Sequence, residues 1–285
     1  MYGWQPSWTK HSATGAVLAA PAPDHIDTLS LCVLASGSKG NAIHISDGRT
    51  NLLFDAGLSG IEIQRRMQAA DLSIDALSGI VVSHEHSDHV KGVGVLARRF
   101  HLPVYISPST AAAAADQLGR IDDLRSICIG TSFDIDQLTI HPFSTSHDAR
   151  DPAGFTIARN NCKIGIATDL GIATGMVRHH LQACDMLVLE ANHDPEMLAE
   201  GPYPWPLKQR IKGRSGHLSN QASRDLLAEL NHGGLCHVIL AHLSETNNTP
   251  AKARQAFERL MNEAIPQARL HVACQDHCSD VVVLR

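Results

Sequence analysis

The stretch Ile80-Val81-Val82-Ser83-His84-Glu85-His86-Ser87-Asp88-His89 decides how this chain is read. Its apolar, β-branched start, bounded by polar residues, reads as a short buried strand that ends where ligand-type side chains begin. Three imidazoles and carboxylates then crowd into six residues, a donor mix suited to zinc, manganese or iron(II). In extended backbone His84 and His86 point to one side and can share one ion. A turn at Ser87 would swing Asp88 and His89 toward a second. Eighteen of the 285 residues are His, so a lone histidine carries little weight here. A cluster that includes an acid and directly follows a strand carries more.

The composition surrounding this motif is that of a globular protein, with 44% hydrophobic and 19% charged residues. A net charge of −5 excludes a molecule that binds nucleic acid over its whole surface, so any polyanion site must be local. Seven cysteines, an odd number with no Cys-x-x-Cys pair, point to reduced thiols and a cytoplasmic location. Cys274 and Cys278 with His271 and His277 could form a small zinc knot, but the segment reads better as two strands around a turn. No apolar run approaches the roughly 20 residues of a membrane span. Residues 1–28 are Ala/Pro/Ser-rich and read as a flexible extension, leaving 29–285 as one domain.

From Leu29 onward the pattern is regular. Runs at 29–35, 42–46 and 51–54, separated by turn-type clusters, predict antiparallel strands. Helices are expected at 61–70, 93–100, 111–118, 173–183, 218–230 and 251–264. Strands are expected at 79–83, 104–106, 126–129, 138–143, 154–158, 162–167, 186–190, 237–241, 270–273 and 281–284. Strands fall in two groups, each with helices attached, which suits an α/β two-sheet sandwich with helices outside.

Further acids and histidines sit just after strand runs: Asp55, His147, Asp169, His193 and His242. With Phe54-Asp55-Ala56-Gly57 and the 84–89 hexad in the same order, the chain resembles the metallo-β-lactamase superfamily from Leu29 to Arg285. It is most similar to the YycJ/WalJ-like nuclease branch. That closer match rests on Leu34 to Asn41, Glu190 to Asp194, Gly201 to Asn220, and Ala241 to Asn248. Ala191 departs from it, standing where a hydroxyl residue is expected.

The resemblance implies an αββα four-layer sandwich with two divalent ions (Zn²⁺ or Mn²⁺, Fe²⁺ possible). It places His84, His86, His147 and Asp169 on one ion, and Asp88, His89, Asp169 and His242 on the other. Asp55 would orient the hexad without touching metal. Such a site, with a net charge of about +1, suits a phosphodiester, because paired ions activate a shared water and clamp phosphoryl oxygens. Asp88 is the candidate to accept or orient the water's proton, and His217 to protonate the leaving alkoxide. Expected substrate contacts are His193, the turn residues Ser38, Lys39 and Asn41 as a phosphate cradle, and a basic loop carrying Lys208, Arg210, Lys212 and Arg214. The expected activity is a nuclease acting on DNA in preference to RNA, and the resemblance implies 5′-to-3′ exonuclease polarity. The alternative is a small-molecule metallohydrolase of the same fold, cleaving a thioester, lactone, lactam or cyclic phosphodiester.

Overall fold

Along the first strand the side chains of Leu29, Leu31 and Val33 enter one apolar layer, while Cys32 and Leu34 enter another. The period-two alternation of a strand buries both faces, which is why these runs are continuously apolar. The computed structural model describes residues 28–284, so all of the extension expected over 1–28 except Thr28 lies outside the described residues.

Fourteen strands form two seven-stranded sheets. The first holds β1 (Leu29–Ala35), β2 (Ala42–Ser46), β3 (Asn51–Phe54), β4 (Gly79–Val81), β5 (Val104–Ile106) and β6 (Leu124–Ser126). The second holds β7 (Phe133–Ile135), β8 (Leu138–Ser144), β9 (Ala153–Arg159), β10 (Cys162–Ala167), β11 (Met186–Glu190), β12 (His237–Ala241) and β13 (Arg269–Val272). The last strand, β14 (Val282–Leu284), returns to pair with β1. Each sheet runs antiparallel on one side and parallel on the other: β14-β1-β2-β3 then β4-β5-β6, and β7-β8-β9-β10 then β11-β12-β13.

The helices are α1 (Gly60–Ala69), α2 (Ser87–Val90), α3 (Val93–Phe100), α4 (Pro108–Ala113), α5 (Ala115–Leu118), α6 (Gly175–Leu181), α7 (Pro195–Glu200), α8 (Trp205–Lys212), α9 (Asn220–Leu230) and α10 (Pro250–Glu263). Ile63 and Met67 of α1 and Leu96 of α3 cover the outer face of the first sheet. Val177 of α6, Leu226 of α9 and Phe257 of α10 cover the second. Between the sheets lies a third layer, where Phe54 meets Phe155 edge-on at 5.3 Å. The order is therefore αββα. No helix among the described residues is long and apolar enough to cross a membrane.

Four expectations need correcting. The helix expected over 111–118 starts at Pro108, capped by Ser107, and breaks at Ala114 into α4 and α5. The strand expected at 126–129 is β6, two residues earlier and wholly exposed, so no burial pattern marked it. The basic segment expected as a loop is helical through Lys212. The C-terminal segment is not two strands around a turn, because β13 and β14 belong to different sheets. Nor do the cysteines and histidines proposed as a zinc knot converge among the described residues: His271 meets His237 instead, at 3.2 Å.

Candidate metal centre

Loops at the ends of β3, β4, β8, β10, β11 and β12 converge at one edge of the sandwich. Three site residues just past these strands, Asp55, Asp169 and His242, hold positive φ of 59°, 56° and 55°. Left-handed backbone costs an L-residue roughly 1–2 kcal/mol, and here it turns each side chain sharply off its strand. Beyond β4 the hexad makes the one-turn helix α2, which carries Asp88 and His89 away from His84 and His86. Gly57 lets this turn approach, since a Cβ there would lie 1.6 Å from the Asp88 carbonyl oxygen.

Two groups of donor atoms result. In the first, His86 Nδ1 lies 3.1 Å from His84 Nε2 and 3.3 Å from His147 Nε2, and Asp169 Oδ1 lies 3.8 Å from His147 Nε2. In the second, His89 Nε2 lies 3.5 Å from Asp88 Oδ2 and 3.4 Å from Asp169 Oδ2, and His242 Nε2 lies 3.8 Å from Asp88 Oδ2. A tetrahedron with metal–nitrogen bonds of about 2.0–2.1 Å has edges of roughly 3.4 Å, so both groups have the size of a cation site.

The protons support the same conclusion. Asp55 Oδ2 accepts from His89 Nδ1 at 2.8 Å and from Ser83 Oγ at 2.7 Å. With its one proton committed to Asp55, Ser83 Oγ accepts from His84 Nδ1 at 3.0 Å. His147 Nδ1 donates to the Gly216 carbonyl at 3.3 Å, and His242 Nδ1 donates to Glu190 Oε1 at 2.9 Å. All four rings are thereby fixed with Nε2 aimed inward, the arrangement that orients metal-ligating histidines. Asp169 Oδ2 and His242 Nε2 are buried without a hydrogen-bond partner. A divalent cation in each group satisfies these atoms and fits the donors.

The electrostatics favour positive charge at the centre. Burial opposes ionisation of Asp169, yet His242 and His89 hold its carboxyl well below the usual range. Burial likewise opposes protonation of His242, but Asp169, Asp88 and Glu190 raise it to about 10. His89 is raised well above its ordinary value against burial by Asp169 and Asp55.

Comparison with known proteins agrees with this geometry. Residues 50–242 match the model of the beta-lactamase superfamily domain. The exodeoxyribonuclease YycJ of Bacillus anthracis is 38% identical over 82% of this chain and 90% of its own length. The exodeoxyribonuclease WalJ of Streptococcus pneumoniae is 33% identical over 81% and 88%. The chain belongs to the metallo-β-lactamase superfamily, in its YycJ/WalJ branch. The fold is that of the metallo-β-lactamase fold protein YhfI from Bacillus subtilis, with a TM-score of 0.70 over 91% of this chain and all of that one, at 15% identity.

In this branch member the centre has a part that the sequence reading missed. Glu190 ends β11 fully buried, and its Oε1 accepts from both His217 Nδ1 (2.7 Å) and His242 Nδ1 (2.9 Å). Its Oε2 accepts from the backbone of Leu170 and Leu218, next to Asp169 and His217. Although Glu190 lies within ligand distance of Asp169, His217 and His242, these four donors commit it to holding them. The signal was present: an acid at the end of a buried run, where only a paired carboxylate is tolerated.

The remaining expected residues divide. His217 stands over both groups, its ring centroid 5.2 Å from that of His147 and 5.1 Å from that of His242. Ser38 lines the cavity beside it. The 36–41 turn does not offer a phosphate cradle: Gly37 N donates to Asn41 Oδ1, Lys39 N to Gln275 Oε1, Gly40 N to Gly37 O and Asn41 N to Asp88 O. Asn41 itself is buried, its amide 3.3 Å from Asp88 Oδ2 and 3.1 Å from His89 Nε2. Lys39 pairs with Glu245 at 2.7 Å. His193 is only 3% exposed, and burial lowers it to about 4. In the basic segment, Lys208 caps the Ala199 carbonyl and Arg210 pairs with Asp148 at 2.5 Å, while Lys212 and Arg214 are exposed.

Proposed function

We propose that this chain is a two-metal phosphodiesterase that removes nucleotides from DNA, working from the 5′ end. The observation that supports the reading best is the joining of two donor groups through the two oxygens of Asp169. The chain that carries them is akin to proteins named exodeoxyribonucleases. His84, His86 and His147 would hold one ion, and Asp88, His89 and His242 the other, with Asp169 shared. When bound, two divalent ions (zinc, manganese or iron(II)) lower the pKa of a water between them and withdraw charge from phosphoryl oxygens.

The protein supplies the rest. Asp88 is kept ionised by His242 and His89 despite its burial, so its carboxylate can take or orient the attacking water's proton. His217 is raised above its ordinary value: burial opposes this, and Glu190 beside it outweighs burial. It therefore holds a proton for the departing oxygen. Breaking the phosphorus–oxygen bond leaves an alkoxide, and the imidazolium protonates it as it departs. Glu190 and Asp55 cancel positive charge that the donor set alone would leave, so attraction for the DNA backbone falls to Lys212 and Arg214. Seven cysteines, an odd number with no Cys-x-x-Cys pair, suit the reducing cytoplasm.

The test is to incubate protein reconstituted with Mn²⁺ or Zn²⁺ with 5′-labelled and 3′-labelled DNA and RNA, single-stranded and duplex. Early release of labelled mononucleotide from 5′-labelled DNA alone supports the reading. Internal cuts, or RNA cleaved in preference, would overturn it.

A further inference from the structure

Beside His217 lies a cavity of about 220 Å³. Part of its lining is apolar: Leu207 and Ile211, four residues apart and so on one face of α8, together with Tyr203 from the bend just before the helix. No residue of α8 is fully buried, and Leu207 and Ile211 are half-exposed. The apolar stripe of this helix therefore faces the cavity rather than the core. The rest of the lining is polar, with Ser38, Asn192 and Ser244 beside the paired Asp148 and Arg210. The helix is tied to the catalytic histidine, since His217 N donates to the Ile211 carbonyl at 2.9 Å.

From this arrangement we infer that the cavity is the subsite for a single unpaired terminal nucleoside. The inference rests on the nuclease reading above. A lining that is partly apolar and aromatic and partly hydrogen-bonding suits a flat amphipathic ligand with a polar edge. The volume is below that of pockets for drug-sized molecules and suits one base and its sugar. Stacking on an aromatic ring is sequence-tolerant because every base has a π-face, as an exonuclease requires. A base still paired to its complement cannot enter, so a strand end must fray before it is cut. The position also fits the chemistry. In 5′-to-3′ removal of mononucleotides the bond from phosphorus to the 3′ oxygen of the terminal nucleotide breaks. That nucleotide then belongs on the side of His217, which protonates its oxygen.

The experiment compares two 5′-phosphorylated single-stranded DNAs on the metal-loaded full chain, one ending in a normal nucleotide and one in a tetrahydrofuran abasic residue. The readout is the ratio of their kcat/KM values, which is independent of the absolute activity of any variant. Wild-type protein is expected to prefer the base-bearing end by about tenfold. Tyr203→Ala and Leu207→Ser should bring the ratio toward one, and Tyr203→Phe should keep it. A wild-type ratio of one, meaning that only sugar and phosphate are held, overturns the inference. So do variants that retain the full preference. If neither DNA is cut while bis(4-nitrophenyl) phosphate is, the nuclease reading fails and the subsite with it.

Discussion

Glu190 Oε1 lies 2.7 Å from His217 Nδ1, and the carboxylate that makes this contact is wholly shielded from solvent. The same oxygen accepts from His242 Nδ1 at 2.9 Å, so one acid holds both the histidine proposed to protonate the leaving group and one proposed to bind metal. Glu190→Gln would bring an amide N–H₂ against imidazole or backbone donors. Turnover should fall about 10²–10³-fold, and metal affinity about 10–100-fold. Steady-state kinetics and a zinc titration check this; unchanged values in both would leave Glu190 a mere core residue.

His217→Ala should retain metal but lose about 10²–10⁴ in turnover on DNA, whose alkoxide leaving group needs a proton. An ester with a nitrophenolate leaving group should lose far less. Equal losses on both substrates would move His217 to a binding role.

The antiparallel start of the first sheet, β5, β11 and β12 are legible in the sequence because their burial is two-sided and continuous. The candidate metal donors stand close after strands, although His147 is separated by two residues from β8, whose burial is broken by exposed positions. Elements that bury nothing are less legible: the wholly exposed β6 lies two residues before its expected start, and α8, expected as a loop, keeps its apolar face for the cavity. The substrate contacts were least legible. Whether a lysine, arginine or turn amide is free depends on partners distant in sequence, such as Gln275 for Lys39 N or Asp148 for Arg210.

Lys212→Gln with Arg214→Gln should raise KM for long DNA and flatten its salt dependence by about 1.4–1.8 in the log–log slope, for two lost phosphate contacts. Lys208→Gln should change neither, because its ammonium is bound to the Ala199 carbonyl. Identical salt slopes for wild type and the double variant would exclude these two side chains from backbone contact.

His44, buried on β2, is lowered to about 4 by burial, against a hydrogen bond with Asn51 that raises it. Its folded value lies below its unfolded value, so the neutral ring stabilises the fold above about pH 6.5. That stability is lost as pH falls toward 4, by up to about 3 kcal/mol. In metal-free protein, His44→Gln should flatten the pH dependence of urea unfolding over this window. Parallel curves for the two proteins would rule out the effect.

The most direct measurement is anomalous diffraction from zinc-loaded crystals, paired with metal analysis of the same protein. Two ions per chain are expected, each touching a different oxygen of Asp169, one among His84, His86 and His147 and the other among Asp88, His89 and His242. A single ion, or an Asp169 carboxylate that touches neither, would contradict a two-metal phosphodiesterase.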